Sequence, residues 1–477
     1  MDPLQQLAAQ GAMIERLTAD SRRCSPGSAF FAYPGEKADG RRYIGDAIAR
    51  GASAVLWEAQ AFAWSSSWRV PNVAVSQLKQ RAGELASAFH GEPSRQLWVC
   101  GVTGTNGKTS CSQWIAAALG ASGTRAGVIG TLGSGFPEAL HDSGNTTPDA
   151  LELQRTLKDL RAAGARAVAM EVSSHGLVQG RVNGVHFACA LFTNLSHDHL
   201  DYHGSMAAYG EAKAQLFSMP GLQTAVLNVD DAFGRELARR LRGRVRRIGY
   251  SLDGTANAEI DDWLHLAPSM EIDSSWGRAK LTTRQVGRFN LANALGVLGC
   301  LVAHGIALAD AVRLVANLPA VPGRMEQVGE QPLVIVDYAH TPDALDKVLA
   351  ALRPVASERG GRLAVVFGAG GDRDPVKRPL MGAAAARGAD RVLITSDNPR
   401  SEDPLRIIEA VAAGAPAAAR EPDRRRAIER AIAEAAPADV VLIAGKGHET
   451  YQEIAGKRLP FSDQAAARAA LAERGAR

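Results

Sequence analysis

The stretch Val102-Thr103-Gly104-Thr105-Asn106-Gly107-Lys108-Thr109 follows an apolar run at 97–100 and precedes a segment compatible with a helix. This order predicts a strand, a phosphate-binding loop and the first turn of a helix. Glycines let backbone N–H groups approach an anion, and the helix start adds a partial positive charge. Lys108 and Thr109 can reach a terminal phosphate and its Mg²⁺. The sequence therefore predicts an ATP site made by Gly104, Thr105, Asn106, Gly107, Lys108 and Thr109.

The spacing of this loop departs from the ordinary phosphate-loop pattern, because Val102 stands five positions before Gly107, where a glycine is expected. The alternative interpretation is a glycine-rich turn that happens to precede a lysine. The departure narrows the set of families with which the loop can be compared.

Composition places the chain among globular proteins. Its 477 residues are too many for one core and indicate three domains, at roughly 100–200 residues each. Hydrophobic residues make up 46% and charged residues 22%, which excludes extensive disorder. The net charge of +4 is small. The arginine-rich segment 235–247 is a solvated helix face or a weak anion patch. Without a basic stripe or a reading motif, no nucleic-acid partner is expected.

The five cysteines are scattered, with no Cys-x-x-Cys pair, which favours a reducing compartment. No basic leader or signal-like apolar run opens the sequence. The most apolar later stretch, 291–303, is shorter than the ~20 residues of a membrane span and contains Asn293. We expect a cytoplasmic protein without a membrane span, and a monomer.

Apolar strand candidates alternate with helical stretches along most of the chain, which predicts mostly parallel sheets flanked by helices. The first part of the chain is predicted to form a small α/β unit. Clusters of Pro, Gly and Ser indicate linkers at 90–94 and 318–323. We therefore predict a three-domain α/β fold with domains at 1–92, 93–320 and 321–477. The strand candidates of the second and third domains are 126–129, 167–170, 188–192, 225–228, 333–336, 362–367, 391–395 and 440–444.

Each strand candidate of the third domain ends at a polar cluster. The clusters occupy 337–340, 370–373, 397–400 and 445–449. In doubly wound sheets, ligands bind beyond the carboxyl ends of the strands. Four clusters in one domain predict one binding surface.

Several motifs occur in an order that resembles the Mur ligase family, in its diaminopimelate-adding pattern. They are Asp20-Ser21-Arg22, TGTNGKT, Asn145-Thr146-Thr147-Pro148, Glu171-Val172-Ser173-Ser174-His175, the segment 194–201, Phe289-Asn290, Asp337-Tyr338-Ala339-His340 and the DNPR of 397–400. The resemblance implies nucleotide-sugar-, ATP- and amino-acid-binding domains in that order. It also implies a peptidoglycan-precursor reaction in which ATP phosphorylates the D-glutamate of UDP-N-acetylmuramoyl-L-alanyl-D-glutamate and meso-diaminopimelate displaces the phosphate.

The resemblance also implies the metal site. Thr109 and Glu171 would supply oxygen ligands for Mg²⁺. His199 matches the metal-liganding histidine of the family, although the spacing of His197, His199 and His203 alone also fits a transition metal. Lys213 matches a lysine that is carboxylated to N6-carboxylysine and helps to bind a second Mg²⁺. By spacing alone, Lys213 would be a solvated lysine on an amphipathic helix.

The remaining site residues follow from the same resemblance. Thr146 and Thr147 could instead cap a helix before Asp149. Arg400 suits the far carboxylate of diaminopimelate, because a guanidinium grips a carboxylate with two hydrogen bonds, although it could merely cap a surface turn. The muramoyl-peptide is assigned to Ser21, Thr146, Thr147, Ser173, Gln179 and Arg181, the ATP side to Asn290, Arg324 and Asp337, and the incoming amino acid to Arg373, Asp397, Asn398, Pro399, Arg400, Gly445 and Glu449.

Three other interpretations remain open at this point. An L-lysine-adding ligase or a folylpolyglutamate synthase would share the phosphate loop, but the arginine of DNPR argues against both. A non-catalytic nucleotide-binding module would not need Glu171, His199 and Lys213. A nucleic-acid-binding protein would need a basic stripe, which the sequence lacks.

Overall fold

The computed structural model describes residues 2–36, 38–254, 260–283, 285 and 287–475. Within them, the strands form sheets of four, eleven, six and two strands. Helices flank the three larger sheets, whose central pairings are parallel. The predicted α/β class is confirmed.

The first sheet is parallel throughout and lies in the order β1-β2-β3-β4. Every residue of β2 is buried, as expected for a parallel strand covered on both faces. Its strands are β1 (Arg16–Thr18), β2 (Ser28–Ala32), β3 (Ala54–Glu58) and β4 (Asn72–Val75), and its helices are α1 (Pro3–Ala9), α2 (Ile44–Ala49) and α3 (Leu78–Phe89).

The second sheet is parallel in its middle and antiparallel at both ends. Its strands are β5 (Trp98–Thr103), β6 (Ala126–Gly130), β7 (Gly133–Phe136), β8 (Ala139–His141), β9 (Ala167–Glu171), β10 (Cys189–Phe192), β11 (Thr224–Asn228), β12 (Arg246–Ser251), β13 (Asp262–Leu266), β14 (Glu271–Ser274) and β15 (Gly277–Lys280). Its helices are α4 (Lys108–Ala121), α5 (Ala150–Ala162), α6 (Ser174–Val178), α7 (Leu200–His203), α8 (Met206–Ala214), α9 (Ala232–Arg240), α10 (Arg288–His304) and α11 (Leu308–Ala316).

The strand order of this sheet positions the site. It runs β15-β14-β13-β12-β11-β10-β5-β9-β6-β7-β8, so β5 lies between β10 and β9. Because these three strands are parallel, their carboxyl ends meet at one edge. The loop after β5 is thereby placed beside Glu171 at the end of β9 and Thr193 after β10.

The third sheet lies in the order β16-β17-β21-β18-β19-β20, and only its β16–β17 pair is antiparallel. A separate hairpin joins β22 to β23. The strands are β16 (Glu326–Glu330), β17 (Leu333–Asp337), β18 (Leu363–Phe367), β19 (Arg391–Ile394), β20 (Ala419–Arg420), β21 (Val440–Ala444), β22 (Tyr451–Ile454) and β23 (Lys457–Pro460). The helices are α12 (Pro342–Glu358), α13 (Lys377–Gly388), α14 (Pro404–Ala412), α15 (Arg424–Ala433) and α16 (Asp463–Gly475).

All eight strand candidates of the second and third domains are strands in the structure. The arginine-rich segment 235–247 spans most of α9 and the start of β12. Arg247 in it is buried and pairs with Asp261, and Arg240 pairs with Glu211. These two arginines are engaged in ion pairs rather than in an anion patch. Within the described residues, no helix is both long and apolar enough to cross a bilayer.

A fully buried ion pair joins α15 and α16, two helices that pack together on the third sheet. Arg424, the first residue of α15, donates through Nε and Nη2 to the Asp463 carboxylate at the start of α16, at 2.7 Å each. Neither side chain is exposed. Arg424 also donates to the carbonyls of Ser396, two residues after β19, and of Ala444, the last residue of β21.

We expect Arg424→Met to lower the free energy of unfolding by ~3–5 kcal/mol, because it leaves the Asp463 charge buried without a partner. Arg430→Met is the matched control on the same helix, since Arg430 pairs with Glu434 at the surface and such pairs contribute ~0–1 kcal/mol. Urea unfolding of both variants measures the difference. Equal losses of stability would contradict the assignment, and the double variant Arg424→Met/Asp463→Leu should regain part of the loss.

Candidate functional site

The loop between β5 and α4 is built around two glycines with positive φ. Gly104 has φ +149° and Gly107 has φ +88°. A Cβ on Gly104 would lie 1.9 Å from Thr193 Oγ1, and one on Gly107 would lie 2.5 Å from Asn293 Oδ1. The Lys108 ammonium donates to the carbonyls of Gly104 and Thr105 at 2.9 Å. Burial lowers the pKa of Lys108. The loop has the shape that a phosphate requires.

The segment after β10 fixes the loop from the other side. Thr105 N donates to the Asn194 carbonyl at 2.8 Å, and Asn106 N donates to Asn194 Oδ1 at 3.0 Å. The Thr193 hydroxyl donates to the Asn106 carbonyl at 2.6 Å. The backbone of the loop is therefore held in place by its neighbours.

Glu171 is buried at the end of β9 and organises the centre of the site. Its Oε2 accepts from the hydroxyls of Thr109 at 3.0 Å and Thr131 at 3.1 Å, and its Oε1 accepts from Thr131 N at 2.8 Å. A Cβ on Gly130 would lie 2.3 Å from Oε1, so the carboxylate needs a glycine beside it. Carboxylate and hydroxyl oxygens on one side of the loop suit Mg²⁺.

Arg324 reaches this centre from the chain that leads into the third sheet. Its Nη2 donates to Thr109 Oγ1 at 3.0 Å, and its guanidinium lies 4.2 Å from the ring centroid of Tyr338. Its Nη1 is buried and has no hydrogen-bond partner among the described residues. A phosphate oxygen would satisfy this donor. Asp337 accepts from Met325 N and Ala339 N at 2.8 Å, and burial raises its pKa.

A cleft of about 920 Å³ joins these groups. It is lined by residues from all three parts of the chain: Glu36 from the first, the phosphate loop from the second and Arg373 from the third. The predicted residues that line it are Thr105, Asn106, Gly107, Lys108, Thr109, Thr146, Thr147, Glu171, Ser173, Gln179, Arg181, His199, Asn290, Arg324, Asp337 and Arg373. Ser21, Lys213, Gly104, the DNPR residues, Gly445 and Glu449 are not part of the lining.

Lys213 lies directly behind the phosphate loop. It is only 1% exposed, and its Nζ donates to the Gly104 carbonyl at 2.8 Å. Burial, together with the positive charge of Lys108, lowers the pKa of Lys213 well below its usual value. The interpretation as a solvated lysine on an amphipathic helix is wrong, because the side chain is buried.

The three spaced histidines point to different partners. His197 Nε2 lies 3.5 Å from Asp374 Oδ2, and His203 Nε2 lies 2.9 Å from Ser174 Oγ. His199 Nε2 lies 3.4 Å from Asp198 Oδ2, and burial lowers the pKa of His199 to about 3. In the described part of the chain, these histidines do not gather as a group of metal ligands.

The predicted muramoyl-peptide residues form one hydrogen-bonded wall of the cleft. Arg181 donates to the Thr147 carbonyl at 2.7 Å and to Gln179 Oε1 at 2.8 Å. The Thr147 hydroxyl donates to Glu171 O at 3.0 Å, and Thr146 Oγ1 lies 3.0 Å from Thr131 Oγ1. Asp149 itself caps α5, so the two threonines are not its cap. Ser21 begins a short 3-10 turn of the first unit.

The polar clusters of the third sheet do converge. Asn398 Nδ2 donates to Glu449 Oε2 at 2.8 Å, and Gly371 N donates to the Asn398 carbonyl at 2.9 Å. Arg400 Nη1 donates to the Gly371 carbonyl at 2.6 Å. Two glycines leave room for close contacts here. A Cβ on Gly371 would lie 2.0 Å from the Pro399 carbonyl oxygen, and a Cβ on Gly445 would lie 2.6 Å from the side-chain atom Asp397 Oδ2. The predicted amino-acid site is a connected group.

Sequence reasoning missed several residues that hold these groups. Lys446 is fully buried and donates to Asn398 Oδ1 and Glu449 Oε2. Its position between two predicted site residues, Gly445 and Glu449, could have indicated this role from the sequence. Thr131 directly follows β6, as ligand-binding residues often follow strands. Arg424 and Asp463 are 39 residues apart and carried no local signal.

Comparisons with known proteins agree with this arrangement. Three family models match: "Mur ligase family, catalytic domain" at 13–90, "Mur ligase middle domain" at 102–301 and "Mur ligase, glutamate ligase domain" at 323–447. A UDP-N-acetylmuramoyl-L-alanyl-D-glutamate–2,6-diaminopimelate ligase of Chromobacterium violaceum is 52% identical, with 99% of this chain and 97% of that protein covered. A ligase of the same name from Janthinobacterium sp. (strain Marseille) is 50% identical, with 98% of this chain and 96% of that protein covered.

A solved structure of a ligase with the same name superposes with a TM-score of 0.67 at 38% identity, covering 97% of this chain and 95% of that one. A phosphate loop at a helix start, backed by a buried glutamate, defines the class of nucleotide-binding proteins. Within that class, the chain belongs to the Mur ligase family.

We expect Gly130→Ala to raise the Mg²⁺ concentration needed for half-maximal ligase turnover by ~10–100-fold, because the new methyl group displaces the Glu171 carboxylate. Gly120→Ala in α4 is the control, since no atom lies within 4 Å of a Cβ there. Initial rates across a Mg²⁺ series give the result. An unchanged Mg²⁺ dependence in Gly130→Ala would show that Glu171 does not act on the metal.

Proposed function

We propose that the protein joins meso-diaminopimelate to the D-glutamate of UDP-N-acetylmuramoyl-L-alanyl-D-glutamate, with ATP as the energy source, in peptidoglycan precursor synthesis. One observation carries the proposal. A single cleft is lined by the phosphate loop, by the buried Glu171, by Arg181 and by Arg373. The full-length relatives at 50–52% identity carry the name of this activity.

The reaction needs an activated carboxylate. An oxygen of the D-glutamate side-chain carboxylate attacks the γ-phosphorus of ATP, and ADP leaves. The amine of diaminopimelate then attacks the carbonyl carbon, and the tetrahedral species expels phosphate while the nitrogen loses a proton. Most of the catalysis is positioning and charge stabilisation, because the transferring phosphoryl group carries its charge on its oxygens.

We assign two cations to those oxygens. Lys108 needs only to leave the loop carbonyls that it now contacts, and Arg324 already has Nη1 buried without a partner among the described residues. Thr109 and Glu171 would hold Mg²⁺, and His199 would add a neutral imidazole. When bound, Mg²⁺ would neutralise negative charge on the phosphate. Gly104 to Gly107 would contribute backbone donors, and Asn290 and Asp337 would line the nucleotide side.

Lys213 is proposed to act as N6-carboxylysine. A lysine adds CO₂ only as the neutral amine, and burial, together with the Lys108 charge, lowers the pKa of Lys213 and so favours that form. The amine nitrogen bonds to the carbon of CO₂ and releases one proton to the solvent, which leaves a carbamate whose oxygens would suit a second Mg²⁺.

The two remaining substrates are assigned to two groups of residues that reach the cleft at Arg181 and at Arg373, respectively. Hydroxyls and Arg181 on one wall suit the amides and carboxylates of the muramoyl-peptide, and we place the uridine end towards Ser21. Diaminopimelate is assigned to the connected group of the third sheet. That group consists of Arg373, Asp397, Asn398, Pro399, Arg400, Gly445 and Glu449.

The domain boundaries 1–92, 93–320 and 321–477 are part of the proposal. One large sheet lies within each segment, with the β22–β23 hairpin also in the third, and α11 ends at Ala316, before the proline-rich stretch at 318–323. We assign UDP-sugar binding to the first domain, ATP binding to the second and the amino acid to the third. A monomeric state and a cytoplasmic location remain predictions.

A phosphate-release assay tests the function directly. The purified protein is given ATP, Mg²⁺ and the UDP-muramoyl dipeptide with meso-diaminopimelate, with L-lysine, or with no amino acid. We expect sustained phosphate release only with diaminopimelate, matched by the formation of the tripeptide product. Equal rates in all three reactions would overturn the proposal.

We expect Lys213→Ala to lower turnover by ~10²-fold or more, because a ligand of the second metal is lost. A short carboxylic acid added to the buffer should restore part of the activity by occupying the vacated space. Lys158→Ala is the control, since Lys158 is exposed at the surface. Full activity of Lys213→Ala without added acid would refute the carbamate.

We assign to Arg400 the selection of the amino acid. Its side chain is 24% exposed, and its Nε lies 3.8 Å from Glu453 Oε2. Among the described residues, only the Gly371 carbonyl accepts a hydrogen bond from its guanidinium, which has five N–H donors. Two parallel donors can therefore grip the far carboxylate of diaminopimelate, a group that lysine lacks.

Arg400→Ala should lower kcat/KM for diaminopimelate by roughly 30-fold or more, since loss of a buried charged pair costs at least about 2 kcal/mol. The low kcat/KM for L-lysine should change little, so the ratio of kcat/KM for diaminopimelate to that for L-lysine falls. The control is Arg406→Ala, at an exposed position on the adjacent α14. If both amino acids lose kcat/KM equally, Arg400 supports the loop rather than the carboxylate.

A further inference from the structure

Three buried cysteines meet in the core of the second sheet, behind the phosphate loop. Cys100 of β5 and Cys189 of β10 are direct partners in the parallel pairing, and Cys300 of α10 packs onto them. The three sulfur atoms all lie within 4.8 Å of one another, and none of the side chains is exposed. No step of the proposed ligation uses them.

The spacing of these sulfurs suits a thiolate metal site. Zn–S bonds of about 2.3 Å in a tetrahedron place neighbouring sulfurs about 3.8 Å apart. The Cys100 and Cys300 sulfurs are separated by 3.8 Å. The third sulfur lies near enough that a small side-chain rotation completes the triangle.

His304 lies beside this cluster and would have to turn to supply a fourth ligand, since its ring nitrogens are not among the ligand atoms that lie within 4.8 Å of one another. It lies one turn after Cys300 on α10, so both side chains leave the same face of the helix. Its Nδ1 is buried and has no hydrogen-bond partner among the described residues. Its ring packs 4.7 Å from that of Trp98, which precedes Cys100 by two residues and so shares its face of β5. The histidine therefore borders the same part of the core.

We propose that Cys100, Cys189, Cys300 and His304 form a site for a thiolate-preferring divalent ion such as Zn²⁺ or Cd²⁺. Three cysteines with one histidine form a known structural zinc set. On binding, each thiol that ligates releases its proton to the solvent and forms a sulfur–metal bond. The ion would tie α10 to β5 and β10, and β5 leads directly into the phosphate loop at Gly104. The alternative is that the three thiols are small apolar core residues.

Cadmium tests the site by absorption as well as by stoichiometry. The full-length protein is produced with Cd²⁺ in the medium and purified with excess Mg²⁺, and its metal content and ultraviolet thiolate-to-cadmium band are measured. We expect one Cd²⁺ per chain with that band. The phosphate site cannot produce the band, because Thr109 and Glu171 carry no sulfur. A protein without bound Cd²⁺, or with Cd²⁺ but no thiolate band, would overturn the proposal.

Substitutions assign the ligands. Cys189→Ser and Cys300→Ser should lose the thiolate-to-cadmium band. His304→Ala should weaken Cd²⁺ binding by about tenfold or more. Cys24→Ser is the control and should leave both the band and the metal content unchanged, since Cys24 is buried in the first unit. A band that survives in Cys189→Ser and Cys300→Ser would refute the site. If these two variants fail to fold, cadmium-113 NMR of the unaltered protein decides. A resonance typical of three sulfur ligands supports the site, and one typical of oxygen ligands refutes it.

Discussion

The buried carboxylate of Glu171 is the constraint on which the site depends. It accepts hydrogen bonds from Thr109, at the start of α4, and from Thr131, after β6, and it requires a glycine at position 130. A buried carboxylate without such donors would be costly, so these neighbours are arranged around it. Because β9 and β5 are adjacent and parallel, the same carboxylate faces the phosphate loop. One side chain thus links the geometry of the sheet to the place where a metal and a phosphate would meet.

The three parts of the chain meet around this centre through a few polar contacts. Arg324 bonds to Thr109, and Asn106 Nδ2 donates to Asp343 of α12 at 3.3 Å. Glu36 accepts from the Tyr202 hydroxyl at 2.9 Å. A ligation with three substrates needs the acid, the amine and ATP to meet in one water-poor space, and effective molarity then supplies much of the rate. The first and second parts also share an apolar cluster, in which Ala150 and Leu151 of α5 pack with the core of the first sheet.

The sequence predicted the fold class well, because buried parallel strands leave continuous apolar runs and the phosphate loop has a fixed strand–loop–helix context. Resemblance supplied the family, which the comparisons confirm. The roles of individual residues remain predictions. What the sequence could not supply were long-range partners such as Arg424 and Asp463, or the burial of Lys213. Helical spacing indicated a solvated lysine, and only the packing of α8 against the phosphate loop reveals a group whose charge is disfavoured.

Transfer of an isotopic label tests the central claim, that the site phosphorylates a carboxylate. UDP-muramoyl dipeptide carrying oxygen-18 in the D-glutamate side-chain carboxylate is ligated to diaminopimelate, and the nucleotide and phosphate products are examined by mass spectrometry. The account predicts that one oxygen-18 atom per turnover appears in inorganic phosphate, with ADP unlabelled. Label in AMP, or phosphate without label, would contradict it, because the carboxylate would then have been activated by another route.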